Sequence, residues 1–267
     1  MNNLSIKALM LGAAMAVSGW NGVLHAQTTE QLPLLVAAGS LKTAMDETIA
    51  AYQAQGGSAF KAKYGPSGKL RKEIEAGAKV DVFASADIEH TNALAQQKLL
   101  DVSSVFTHND LCVVARPELK LHADNMLDVL RSPSVRVATS TPVSDPMGDY
   151  TWQFFRNAEG RQPGIYQLLD AKALKLSGAS VPAPGEKLPY ITAFEDDKAD
   201  VYIMYCTNAV ITKKAVPQLH VVRIPDELNV RSVYGIAAGL HSAAGKDFVR
   251  FVMESTGQAI LKKHGFE

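Results

Sequence analysis

Apolar positions along this chain fall into short runs, each closed by a turn and followed by a stretch of helical spacing. "LPLLVAAGS" (32–40) is a nearly unbroken apolar run ending at Gly39-Ser40, as in a strand covered on both faces. After it, Leu41, Met45, Ile49 and Tyr52 recur on one helical face until Gly56-Gly57 closes the segment. "SAFKAKYG" (58–65) sets Lys61 and Lys63 against Phe60, Ala62 and Tyr64, which predicts a strand, and the helix after it carries Leu70 and Ile74 four apart. A short apolar strand in "VDVFAS" (80–85) and a helix over "IEHTNALAQQ" complete the third repeat. Strand, helix and short connection in this order predict a parallel sheet covered by helices.

The rhythm resumes with different content. "LCVVAR" (111–116) predicts a strand, "MLDVL" (126–130) a helix, "VRVATS" (135–140) a strand and "YTWQFFRNAE" (150–159) the start of a further helix. A broken stretch with Gly178, Pro182, Pro184, Gly185 and Pro189 precedes a predicted helix at 191–199. "DVYIMYCTNAV" (200–210) is expected as a strand with its following turn, 219–225 and 233–239 as extended segments, and 245–266 as closing helices. The pattern predicts a two-domain α/β fold. The first domain is discontinuous, 27–112 with 223–267, and the second spans 113–222. A cleft between two such units is the usual seat of a small ligand.

Residues 1–26 stand apart from this scheme. Lys7, an apolar run from Ala8 to Val17 and a small residue at Ala26 have the layout of a secretory signal peptide, and the run is too short to span a membrane. An exported chain would begin near Gln27. Charge is balanced, with 27 Lys+Arg against 27 Asp+Glu, which argues against a nucleic-acid partner. Of the two cysteines, Cys112 and Cys206, an oxidising compartment allows either one disulfide or two buried thiols. Neither His nor Cys shows zinc-ligand spacing. G-x-S-x-G, H-E-x-x-H and Walker sequences are absent and the histidines are scattered, so an enzyme is not expected.

Chemistry concentrates at three strand-to-helix turns. They are "VAAGSLKTAM" with Ser40, "YGPSGKLRKE" with Ser67, and "VATSTPVSDPMGDYTWQFF" with Met147-Gly148. Each serine has two readings: an ordinary helix cap, or a hydroxyl that joins backbone amides around an anion. Asp145 and Asp149 flank the third turn. As caps they are unremarkable; facing a ligand, they would repel an oxoanion and favour a hydroxyl, an amine or a cation. The acidic run 195–197 reads as a solvated helix face. Lys42, Lys69 and Arg71 read as surface charge or as a rim that draws anions in.

"AAGSLKTAM", "PSGKLRKEIEAGAKVDVFASAD" and "FVRFVMESTGQAILKKHGF" resemble the periplasmic molybdate-binding proteins of ABC importers, on a class II periplasmic-binding-protein fold. The resemblance runs over nearly the whole exported chain. It implies a periplasmic, monomeric solute-binding protein without a cofactor, with molybdate or tungstate as ligand and a membrane permease as partner. By motif it assigns ligand contacts to Ser40 and Ser67 from the first domain and to Met147, Tyr205 and Tyr190 from the second. Met147 stands where the family has alanine, Tyr202 where it has a small residue, and Cys206 and Asn208 replace small and acidic residues. The first-domain half of the site follows the family pattern more closely than the second.

Overall fold

The structure is a computed structural model describing residues 32–180, 183 and 185–267, together with Met1. The signal-peptide expectation for residues 1–26 otherwise lies outside the described residues. The chain opens with β1 (Leu34–Ala38), α1 (Lys42–Ala54), β2 (Lys61–Gly65), α2 (Ser67–Glu75), β3 (Val82–Ser85), α3 (Ile88–Gln96) and β4 (Ser104–Asn109). It continues through β5 (Leu111–Ala115), α4 (Met126–Arg131), β6 (Val137–Ser140), α5 (Pro146–Glu159), α6 (Ile165–Lys172) and β7 (Leu174–Ser177). Then come α7 (Pro189–Glu195), β8 (Val201–Tyr205), α8 (Cys206–Ala215) and β9 (His220–Arg223). The return is β10 (Ser232–Ala238), α9 (Ala243–Met253) and α10 (Ser255–Lys263).

Two five-stranded sheets result, ordered β2-β1-β3-β10-β4 and β7-β6-β8-β5-β9. In the first, β1 runs parallel to β2 and β3, and β10 inserts antiparallel between β3 and β4. In the second, β6 is parallel to β7 and β8, while β5 is antiparallel to β8 and β9. The chain passes to the second sheet between Asn109 and Leu111 and returns between Arg223 and Ser232. Central strands are apolar because helices cover both faces: Leu35 to Ala38 are all buried. The edge strand β2 instead exposes Lys61 and Lys63, charges that discourage pairing with another chain.

Several elements depart from the sequence expectation. Residues 206–215 are helical, not a turn after a strand. Val210 and Ile211 suit a strand, but Asn208, Ala209 and Thr212 form one buried face at helical spacing, and packing overrides propensity. Helix α5 starts at Pro146 and not at 150, since Asp145 caps it and proline occupies the first turn. Strands β4 and β7 and helix α6 were not expected. Both strands are sheet edges carrying polar residues, "SVFTHN" and "LKLS", and owe their conformation to a neighbour.

Cys112 on β5 is bonded to Cys206, the first residue of α8, across 94 residues of sequence. This decides between the disulfide and the buried thiols. The sheets also meet away from the crossing strands. Lys69 N–H donates to the Ser144 carbonyl at 3.3 Å. Gly68 lies so close to the same turn that an added Cβ would sit 2.3 Å from the Val143 carbonyl oxygen.

Candidate functional site

In both sheets, parallel strands deliver their carboxyl ends toward one cavity of about 80 Å³. The first sheet supplies Gly39 and Ser40 after β1, Gly65 and Pro66 after β2, and Ala86 after β3. From the second come Asp145 and Met147 at the start of α5, Gly178 after β7, Tyr190 in α7, and Tyr205 and Asn208 around the β8–α8 junction. The volume exceeds severalfold the ~10–15 Å³ that holds one water, and falls well short of the ~300–1,000 Å³ of drug-sized sites. A ligand of a few heavy atoms fits. Among the described residues no lysine or arginine lines the cavity.

Four of the predicted residues, Ser40, Met147, Tyr190 and Tyr205, line this one cavity. Ser67 lies behind the wall made by Pro66 and Ala86. Its hydroxyl caps nothing in its own helix, where Pro66 takes the N-cap position. Instead Ser67 Oγ accepts from the Ala86 amide at 3.1 Å, which ties α2 to the β3–α3 turn and leaves the serine proton to donate.

Ser40 Oγ is 2.9 Å from the Tyr234 hydroxyl, which accepts from Asn109 Nδ2 at 3.3 Å. With Tyr234 donating to Ser40, the serine keeps its own proton free. Sequence reasoning missed both supporting residues. They stand 194 and 69 positions from Ser40, and no local pattern marks them. Tyr205 is buried between the rings of Tyr150 and Tyr234, and its hydroxyl, with those of Ser232 and Tyr234 nearby, makes no well-formed hydrogen bond among the described residues. Burial pushes its ionisation far above the ordinary tyrosine range, so it stays a neutral donor. Such an orphaned hydroxyl asks for a partner.

The second-sheet half is built differently. Met147 is buried, and its sulfur accepts from the Tyr205 amide at 3.4 Å, filling the space between α5 and the β8–α8 junction. Its own amide is already taken by Asp145 Oδ1 at 3.2 Å. Asp145 also accepts from the Ser140 hydroxyl, and burial raises its carboxyl above the ordinary range despite these two donors. Asp149 does not line the cavity; it accepts from the Val143 amide at 2.8 Å and folds the preceding turn. Tyr190 sets its ring edge-on to Tyr202 at 6.3 Å, and Tyr202 donates to Ser177 Oγ at 2.7 Å.

The rim residues are surface charges. Lys42 pairs with Asp46 at 2.6 Å and Arg71 with Glu75 at 2.8 Å, both one helical turn apart. The 195–197 run is bound into ion pairs, Asp197 with Arg116 and Arg136, and Glu195 with Lys187. No cluster of His, Cys, Asp and Glu among the described residues could hold a metal ion.

Residues 34–267 match the family model described as bacterial extracellular solute-binding protein. An uncharacterised protein of Pasteurella multocida is 36% identical over 212 residues, 76% of this chain and 86% of that protein. The molybdate-binding protein ModA of Escherichia coli is 26% identical over 270 residues, covering 97% of this chain and 96% of ModA. Among solved structures, the periplasmic molybdate-binding protein of Azotobacter vinelandii superposes with a TM-score of 0.69 at 19% identity, over 88% of this chain and 98% of that one. The sulfate-binding protein SubI of Mycobacterium tuberculosis does so at 0.72 and 19%, over 88% and 85%. These likenesses extend the two-sheet architecture to receptors of different anions, in a family of solute binding and not of catalysis. The chain belongs to the bacterial extracellular solute-binding protein family, on the class II periplasmic-binding-protein fold.

Proposed function

We propose that this chain is the periplasmic receptor of an ABC importer, which closes around a small oxoanion, molybdate or tungstate, and presents it to a membrane permease. The observation that carries this reading is the meeting of turns from both sheets on one cavity of about 80 Å³, where hydroxyls of Ser40, Tyr190 and Tyr205 and the carboxyl of Asp145 stand on the wall with no lysine or arginine among the described residues. An oxoanion stripped of water needs every oxygen hydrogen-bonded, and neutral donors can supply this without an opposing charge. Ser40 and Tyr205 bring hydroxyls to the cavity wall, and Ser67, one layer behind it, holds the Ala86 turn in place. The curated relative that binds molybdate spans nearly the full chain, which supports the same choice. Export by the N-terminal segment, a monomeric state and domain limits at 27–112 with 223–267 and 113–222 belong to this proposal.

A second reading has its own support. Asp145 on the wall favours a ligand that brings a hydrogen, such as a protonated oxoanion or a hydroxylated carboxylate. Calorimetry on protein unfolded and refolded to remove carried ligand separates the two. Molybdate and tungstate are expected to bind one-to-one and far more tightly than sulfate. Binding of a hydroxylated carboxylate alone selects the second reading, and absence of any anion binding refutes both.

A further inference from the structure

The carboxyl of Asp145 is an unusual wall for an anion site. It lies on the cavity, its two oxygens accept from the Met147 amide and the Ser140 hydroxyl, and no cation answers it. The niche is tight as well as polar. Gly178, at φ +80°, packs so closely that an added Cβ would sit 2.7 Å from Asp145 Cβ and 3.0 Å from Oδ2. Only a glycine fits beside Asp145 there, so the 177–178 turn packs directly against the carboxyl. Every element around it presents neutral or negative groups. Ser140 comes from β6, Tyr190 from α7, Tyr202 and Tyr205 from β8, and Tyr234 from β10. Asp149, one turn along α5, adds a like charge; beyond it lie His90, whose ionisation burial pushes down, Asp87, and Arg156, which act on Asp149.

Two like charges cannot both remain ionised in a small dry site without a proton between them. Resting on the oxoanion reading above, we infer that Asp145 makes capture proton-linked: the cavity admits an oxoanion together with one proton, held between the carboxyl and the anion. An oxoanion that already carries a hydrogen, of the hydrogen-phosphate class, donates it to Asp145. A fully deprotonated dianion enters only as Asp145 takes a proton from solvent. Asp145 is thus a specificity residue, setting preference by the ligand's protonation state where the Ser40 and Tyr205 hydroxyls on the cavity wall recognise its oxygens. The direction agrees with the upward displacement of this carboxyl in the ligand-free chain, since burial already favours its protonated form.

The test is calorimetry of the refolded full chain with sodium molybdate and with inorganic phosphate, from about pH 6.5 to about pH 10, in buffers of different ionisation enthalpy. Molybdate carries no proton over this range, so the buffer dependence of the heat counts the protons the protein takes up. Close to one proton per molybdate is expected where free Asp145 is ionised, with affinity falling about tenfold per pH unit there, and less uptake with a flat affinity at lower pH where burial keeps it protonated. Asp145→Asn is expected to abolish the uptake and flatten the molybdate profile. Molybdate binding with no proton uptake and no pH dependence in the unsubstituted protein overturns the inference and leaves the oxoanion reading standing. No binding of either anion, by protein or variant at any pH, overturns the oxoanion reading and the inference with it. The proton count on the unsubstituted chain decides the matter even where the variant fails to fold.

Discussion

Removing the Cys112–Cys206 bond tests how much of this fold depends on one cross-link. The bond closes a segment of 94 residues that holds most of the second sheet and joins β5 to the first residue of α8. The chain-entropy model assigns a loop of this size ~4.7 kcal/mol, and native bonds commonly deliver ~2–4 kcal/mol. Taking about 3 kcal/mol, and ~2–4 °C per kcal/mol for a chain of this length, Cys112→Ser with Cys206→Ser lowers Tm by ~6–12 °C. Scanning calorimetry on both proteins measures it, and urea unfolding with an unchanged slope assigns the loss to stability. Because Cys206 adjoins Tyr205 and lies two residues before Asn208, both on the cavity, the double variant should also bind its anion more weakly. A Tm within about 2 °C of the parent would refute the loop argument. Uptake of an alkylating label by both thiols of the exported, unreduced protein would show that no bond forms.

Three further outcomes follow from particular contacts. Ser67→Ala removes the acceptor for the buried Ala86 amide, so stability should fall by ~1–3 kcal/mol in urea titration together with anion affinity; unchanged stability would contradict the role given to Oγ. Gly68→Ala places a Cβ 2.3 Å from the Val143 carbonyl oxygen, a clash that pushes the turn after β6 away from α2 and costs ~1–3 kcal/mol of stability in urea titration. Unchanged stability would show that the two sheets do not depend on this contact. Hydrogen bonds from Arg136 hold Asp200 below the usual carboxylate range. A lowered folded pKa means stability fully present at neutral pH and lost as pH falls from about 4 through the lowered folded value, so Arg136→Ala should cost ~1 kcal/mol at pH 7 and progressively less below pH 4. Equal costs at neutral and acid pH would remove the ion pair from the account.

What the chain revealed by its pattern alone was what burial dictates. β1 and β3 read as strands because helices on both faces require apolar residues at every position. β4 and β7 did not, since an edge strand of "SVFTHN" or "LKLS" is polar and owes its conformation to β10 or β6. Turn grammar and family motif together marked Ser40, Met147, Tyr190 and Tyr205, which do share a cavity. The support behind Ser40 was invisible because Asn109 and Tyr234 reach it through tertiary contacts. The setting of Asp145 was equally hidden, because Gly178, 33 positions on, is what packs against it. The serine in "YGPSGKL" shows the same limit: neither cap nor direct wall, it secures a neighbouring turn that the local sequence does not name.

The central claim is that the cavity between the two sheets holds one small oxoanion through neutral donors. Titrating the refolded chain with molybdate, tungstate, sulfate and phosphate measures it directly. The account predicts one-to-one binding of molybdate and tungstate at micromolar protein, with sulfate much weaker and Tyr205→Phe weakening the tightest of them by about tenfold, the loss of one donor to a charged oxygen. Absence of heat with all four anions, or binding that Ser40→Ala and Tyr205→Phe leave unchanged, would contradict it.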